Sequence, residues 1–246
     1  MARNFIAASS EKVAFGDIAT DGLTNMTVSV WMKRNATSKG VYIQKGASGT
    51  AEWYILLFTD GKCYMKVTNG ASGFMSIANN DTSWHHLVLA YDGSLADANR
   101  VKMYNNKVLE SAAHSAGVGT TTATDAAVLS VGYWVANPLY SDGTIANVKV
   151  WAGVTLSADE IISDYYGRIP QRGSLVSYAP LGYGSPEPDF AGATNGTLSG
   201  TPTIADGPPE QGPAWGYDES ISPYVVAATG HGSLLGSQRN RLVYGG

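Results

Sequence analysis

The sequence predicts an all-β protein: an antiparallel two-sheet sandwich with one short helix and an extended C-terminal arm. Three observations lead there. Met26, Val28, Val30 and Met32 interleave with Thr27, Ser29, Trp31 and Lys33, a period of two that sends successive side chains to opposite faces of a strand. Turn-forming pairs recur between apolar runs: Asp60-Gly61, Asn69-Gly70, Asp92-Gly93 and Asp142-Gly143 supply residues tolerant of positive φ, and Asn105-Asn106 does the same. Finally, 29 glycines against 15% charged residues mean many turns and few surface helices. With 246 residues, 44% of them hydrophobic, the chain can fill one large sandwich core.

In chain order, a first strand is expected at Asn4-Phe5-Ile6. Others follow Met26–Lys33 at 41–45, 53–59, 62–68, 73–78, 85–91, 100–104, 107–111, 127–132 and 144–151. One helix is specified over 158–166. Ser157 caps it and Glu160 completes a capping box. Leu156 packs against Ile161 as a hydrophobic staple, and Gly167 takes the C′ position. Such a lone helix covers one end of the sandwich. A return strand is expected over 174–181. At Pro208-Pro209-Glu210-Gln211-Gly212-Pro213 the character changes, which sets the expected division at 1–207 and 208–246. The second stretch scatters Trp215, Tyr217, Tyr224, Leu235, Leu242 and Tyr244 among glycines and serines. It is too apolar for an ordinary disordered tail and too broken for its own core, so it is expected to lie on the sandwich or on another chain.

Four segments carry a family resemblance. Ser83-Trp84-His85-His86 through Tyr91-Asp92-Gly93-Ser94 resembles the W-H-H-V-A-x-T-Y-D-G strand and turn of laminin-G-like, concanavalin-A-like jelly rolls. Val101 to Val108 resembles that family's V-x-L-Y-V-D-G hairpin. Gly143 to Trp151, followed by Leu156 to Ile161, resembles G-x-I-D-E-V-R-I-W … L-S-x-E-E-I, with Ala146-Asn147 in place of the family's Asp-Glu. Asp189 to Leu198 resembles D-x-S-G-N-G-x-x-G-T-L. The resemblance implies a jelly-roll sandwich. It leaves function open, because lectins, adhesion modules, glycosidases and virion proteins share the fold.

Bulk properties exclude some classes. A net charge of −4 argues against a nucleic-acid partner, which calls for clustered Lys and Arg. No apolar run reaches about 18 residues, so no membrane span is expected. The first fifteen residues lack the apolar core of a secretory signal. Cys63, the only cysteine, sits in an apolar strand and reads as a buried thiol.

Catalytic residues are not expected. Glycosidases of this fold carry E-x-D-x-x-E on one strand; the only E-x-D here is Glu187-Pro188-Asp189, with Gly192 where the second Glu belongs. His85 and His86 are adjacent on a strand and face opposite sides, one toward the core and one toward the surface, so they do not chelate one metal. No metal site is predicted. Calcium is the one cofactor left open, since related sandwiches bind it at a rim; Asp17, Asp21, Asp92, Asp97, Asp125 and Asp142 are the loop carboxylates present. Otherwise these aspartates form turns. Sugar recognition on sandwiches uses exposed aromatics with Asn and Asp. Tyr133-Trp134 with Asn137, and Trp53-Tyr54, are the candidates; glycan contact, protein contact and plain packing are all open to them. Trp31, Trp84 and Trp151 read as packing residues.

A sandwich followed by a Pro/Gly-rich arm resembles phage-encoded virion proteins. The leading expectation is a non-enzymatic virion structural or decoration protein of a tailed phage, anchored through residues 208–246. Its partners are other virion or capsid subunits, as a homo-oligomer or within a larger assembly. The alternative is a carbohydrate-binding module contacting cell-surface glycans; a glycosidase ranks last.

Overall fold

Residues 1–209, apart from 48, 49, 68–73, 116, 125, 136, 137 and 193, are described by the computed structural model. In them the alternating runs become strands. These are β1 (Ala2–Phe5), β2 (Lys12–Ala14), β3 (Asn25–Arg34), β4 (Val41–Ala47), β5 (Thr50–Leu57) and β6 (Lys62–Val67). Then come β7 (Phe74–Ala78), β8 (His85–Asp92), β9 (Val101–Asn105), β10 (Val108–Leu109), β11 (Ala113–His114) and β12 (Leu129–Val131). The last are β13 (Tyr133–Trp134), β14 (Leu139–Tyr140), β15 (Gly143–Ala152), β16 (Leu175–Ala179), β17 (Thr197–Ser199) and β18 (Thr203–Ala205), with one helix, α1 (Ala158–Tyr165).

Two eight-stranded antiparallel sheets face each other. The first runs β10-β9-β8-β3-β15-β1-β18, with β16 also on β15; the second runs β11-β7-β6-β5-β4-β12-β2-β17. A separate hairpin, β13-β14, follows β12. The core between the sheets takes Met26, Val28, Val30 and Met32 from β3 and Leu87, Leu89 and Tyr91 from β8. Opposite them lie Val41 and Ile43 from β4, Trp53, Ile55 and Leu57 from β5, and Cys63, Met65 and Val67 from β6.

The first sheet is buried on both faces, not half-buried as the alternation on β3 implied. Behind it, Leu156 and Ile161 join Val88, Ala90, Tyr104 and Trp151 in a second apolar cluster. Helix α1 is built as its sequence dictates: the Ser157 Oγ accepts from the Glu160 N–H, Glu160 returns a bond to the Ser157 N–H, and Gly167 follows at φ +81°.

Turn chemistry differs from expectation at three places. The β9-β10 hairpin turns on Asn106-Lys107, at φ 49° and 67°, one residue later than Asn105-Asn106. Lys107 was therefore wrongly assigned to a strand. Gly93 and Gly143 do not take positive φ. They are glycines because a Cβ would meet the Thr120 carbonyl oxygen at 1.9 Å and the Lys33 carbonyl oxygen at 2.3 Å. Trp31 and Trp151 are buried as expected, at 4% and 0% exposure. Trp84 is only half-buried: it precedes β8 and packs on the edge of a small cluster of Ala2, Trp31 and Ala146. The arm anchors Trp215, Tyr217, Tyr224, Leu235, Leu242 and Tyr244 lie outside the described residues.

This burial ranks the tryptophans. Trp53→Ala is expected to cost about 3–5 kcal/mol, as large-to-small changes in cores do, and Trp84→Ala less than half as much. Urea titration of both variants checks the order; equal losses would mean that the start of β8 is misplaced.

Candidate functional site

On β4, β5 and β6 the residues that do not enter the core point away from it. They form a second set: Tyr42 and Gln44 on β4, Tyr54 and Leu56 on β5, and Lys62, Tyr64 and Lys66 on β6. The β13-β14 hairpin then brings Trp134 against this outer face. Its ring centroid lies 6.0 Å from that of Tyr42, 6.2 Å from Tyr54 and 5.5 Å from Phe58. Phe58 continues the patch to Tyr64 at 6.1 Å. Tyr42, 2% exposed, is the floor; Tyr54, Phe58, Tyr64 and Trp134 are half-buried. Offset and edge-to-face packing of this kind fixes the rings in place.

Polar groups border the rings. The Tyr64 hydroxyl donates to Asp60 Oδ2 at 2.6 Å, and Lys66 Nζ stands 5.9 Å from the Tyr54 ring centroid. The bond to Asp60, with some burial, pushes the Tyr64 phenol up to about 12; burial does the same to Tyr54. Both hydroxyls therefore stay protonated near neutral pH; the Tyr64 proton is held by Asp60, which leaves that oxygen as an acceptor. Two further polar atoms on this side are covered without a partner: Trp134 Nε1 and Gln44 Oε1.

Of the five residues considered for ligand contact, this face receives two. Trp134 and Tyr54 join it. Tyr133 turns the other way, its ring 4.6 Å from that of Tyr140 and 4.8 Å from Lys12 Nζ. Trp53 is fully buried between the sheets, because its parity on β5 points inward; Tyr54 takes the outward place. A ring sealed in the core does not reach a ligand, so Trp53 leaves the candidate set. Asn137 lies outside the described residues. Tyr42, Phe58 and Tyr64 were missed, although the parity of neighbouring strands carried the signal.

The histidine pair has a structural role, and both rings are buried rather than one. His85 lies within hydrogen-bond distance of Asn105 Oδ1 (3.0 Å) and Asp81 Oδ1 (2.8 Å). His86 sits under α1, its Nε2 3.0 Å from Asp164 Oδ2, while Lys149 Nζ donates to Asp164 Oδ1 at 2.7 Å. Trp31 and Tyr165 close over His86, at centroid distances of 5.0 Å and 5.6 Å. Burial would raise the Asp164 carboxyl; the Lys149 ammonium and the His86 contact outweigh it and hold it well below its ordinary value of 3.8.

The other chemistry-bearing residues are engaged elsewhere. Glu187 accepts from the Arg3 guanidinium and from the Gly182 and Tyr183 N–H groups. Asp189 accepts from the Ser177 hydroxyl and from the N–H groups of Tyr178, Ala191 and Gly192. These two carboxylates fasten a loop. Burial raises the Cys63 thiol to about 12, far from a nucleophile's range. Of the loop aspartates considered for calcium, Asp17 and Asp21 pair with Lys45, Asp97 accepts from the Gly117 and Val118 N–H groups, and Asp125 is outside the described residues. Among the described residues no three acidic, His or Cys side chains converge as a metal site, and no helix is long and apolar enough to cross a membrane.

Two facing antiparallel sheets, one backed by a helix and the other bearing an aromatic outer face, define a lectin-type jelly roll. The laminin G family model described as the concanavalin A-like lectin/glucanases superfamily matches residues 8–162, and the chain belongs to that family. Comparison with curated proteins finds no match. A candidate carbohydrate-binding protein of Bacteroides ovatus superposes with a TM-score of 0.61 at 17% identity, over 84% of this chain and 60% of its own. The enzymatically active domain of tailspike protein 2 from bacteriophage CBA120 gives 0.50 at 15% identity, over 72% of this chain and 29% of its own. Mouse laminin α1 domains LG4-5 give 0.46 at 16% identity, over 64% and 43% respectively. This chain thus spans 60% of the first structure's length and less than half of the other two. At these identities the likeness is one of fold.

Asp164→Asn is expected to cost about 3–5 kcal/mol at pH 7, since it leaves the buried Lys149 ammonium uncompensated. The carboxyl titrates lower folded than unfolded. Its contribution is therefore complete above 3.8 and is lost as pH falls below that value. Urea titrations of both proteins at pH 7 and at progressively more acid pH should show the gap closing; a gap independent of pH would rule out this ionisation.

Proposed function

We propose that the chain is a non-catalytic carbohydrate-binding module whose ligand lies on the outer face of the second sheet. One observation carries this: the contiguous patch of Tyr42, Tyr54, Phe58, Tyr64 and Trp134, rimmed by hydroxyl and ammonium groups. Flat rings offer apolar area to the C–H face of a sugar, and the phenols at the rim match its hydroxyls. An open face of this kind suits an extended chain better than a small molecule, which favours an enclosed pocket. The two carboxylates of the only E-x-D sequence are already saturated with donors, which supports binding without hydrolysis. The fold shared with the Bacteroides ovatus protein is compatible with the same role.

Trp134→Ala and Tyr64→Ala should each weaken glycan binding at least tenfold, about 1.4 kcal/mol, in titration calorimetry against the best ligand from an oligosaccharide array. Trp134 also packs on Tyr42, so Tyr64→Ala is the variant that separates binding from folding. Clear binding unaffected by both substitutions would move the site elsewhere.

A second reading concerns where the module acts. Residues 208–246 combine large apolar side chains, Trp215, Tyr217, Tyr224, Leu235, Leu242 and Tyr244 among them, with glycine and proline breaks, a pattern that suits a segment ordering on a neighbouring subunit. We propose on this ground that the sandwich is displayed on a phage particle. Deleting 208–246 should leave the melting temperature nearly unchanged and abolish incorporation into particles. Unfolding of the truncated protein, or normal incorporation, would refute the anchor.

A further inference from the structure

We propose that the aromatic face selects acidic glycans, chains bearing carboxylate or sulfate groups, and that Lys62 and Lys66 recognise the charge. The proposal rests on the carbohydrate-binding reading above and adds the ligand's chemical class.

Strand β6 places Lys62, Tyr64 and Lys66 in one outward row, while Cys63, Met65 and Val67 enter the core. At about 3.3 Å per residue, the two lysine Cα atoms are roughly 13 Å apart with Tyr64 between them. Lys66 Nζ borders Tyr54, and Tyr64 borders Phe58, so one ammonium stands beside the rings that would hold the sugar and Lys62 lies two residues from Tyr64 on the same row.

Neither lysine forms an ion pair among the described residues. Lys39 meets Asp142, Lys45 meets Asp17, Asp21 and Glu52, and Lys149 meets Asp164; what sets Lys62 and Lys66 apart from the other lysines without an ion pair is their place on the row that carries Tyr64. Asp60 is the carboxylate adjoining the row, and its oxygens are occupied. Oδ1 accepts from the Lys62 N–H and Oδ2 from the Tyr64 hydroxyl. Partial burial lowers the Lys66 ammonium from its ordinary value; an arriving anion would restore what burial removes. In a chain of net charge −4, two lysines against the single carboxylate of Asp60 leave the row beside the half-buried rings with a positive excess, which favours an anionic partner by charge complementarity. A lysine ammonium is a compact point charge and suits carboxylate and sulfate alike.

The test uses the full-length protein on matched oligosaccharide pairs: sialyllactose and lactose, oligogalacturonate and its carboxyl-reduced form, and sulfated and unsulfated lactose. At least one acidic member should bind ten or more times better than its neutral twin. The preference should fall several-fold in Lys66→Gln and in Lys62→Gln, and should shrink as sodium chloride is raised from 50 to 500 mM. Lys102→Gln, which removes the same charge from an exposed position on β9, should keep it. The carboxylate and sulfate pairs show which anion is preferred. Equal binding of acidic and neutral twins, still abolished by Tyr64→Ala, would overturn the charge selection and leave the aromatic site standing. Absence of binding to every probe would overturn both. A preference that survives Lys62→Gln and Lys66→Gln would assign the charge recognition to other residues.

Discussion

Every side chain on a β-strand has two places to go, and in this protein the space between the sheets decides which. The inner layer is filled by Met26, Val28, Val30 and Met32 against Ile43, Trp53, Ile55 and Met65, all fully buried. A one-residue slip in any of these strands would exchange that layer for the opposite one. The outer residues of β4, β5 and β6 are therefore not placed independently. Once Val41, Ile43, Ile55 and Met65 are sealed inside, Tyr42, Tyr54 and Tyr64 must stand outside together. The candidate site is the complement of the core.

The two sheets use their outer faces differently. The first sheet is closed behind by α1, through Leu156 and Ile161, and through the Asp164 carboxylate that binds both His86 and Lys149. A buried charge pair of this kind adds little net stability against an apolar equivalent, but one unmatched member is costly, so it fixes how the helix docks. Among the described residues the outer face of β4, β5 and β6 has the β13-β14 hairpin for cover. Its rings remain half-buried, and Lys62 and Lys66 form no ion pair among the described residues. The binding proposed above falls on the face that the helix does not close.

Much of this was legible in the sequence. The strand from His85, the capped helix from Ala158 and the thiol buried at Cys63 all follow from local pattern, because local rules govern them. Parity was legible on β3, where four apolar residues alternate cleanly. It was not legible at Trp53-Tyr54, where two aromatics are adjacent and either can face the core. Only the register with β4 and β6 decides between them. Tyr133-Trp134 posed the same difficulty, in a hairpin whose existence depends on what it lies against. His86 was misjudged for a related reason: its partner, Asp164, is 78 positions away, and nothing in its own strand announces a helix above it.

The remaining surprises come where the period of two breaks. Between β4 and β5 the register passes from Lys45 opposite Trp53 to Gly46 opposite Ala51, leaving Glu52 without a cross-strand partner. That bulge brings Glu52 to Lys45, and both are fully buried. Lys45 Nζ also reaches Asp21 at 2.8 Å and Asp17 at 3.1 Å, so a single ammonium ties the loop before β3 to the second sheet. Burial pushes the Glu52 carboxyl up to about 7 against the pull of Lys45. On β15 the break falls between Ala146 and Lys149, with Asn147 at φ 51° and its N–H donated to the Pro180 carbonyl. There the strand changes its neighbour from β1 to β16. Ala146 and Asn147, which stand where the resemblance places an acidic pair, thus serve an exchange of strand partners. In both places a bulge turns a polar residue toward a structural task, while the regular part of the β4-β5-β6 ladder, from Val41 to Lys45 on β4, keeps Tyr42, Tyr54 and Tyr64 on one face.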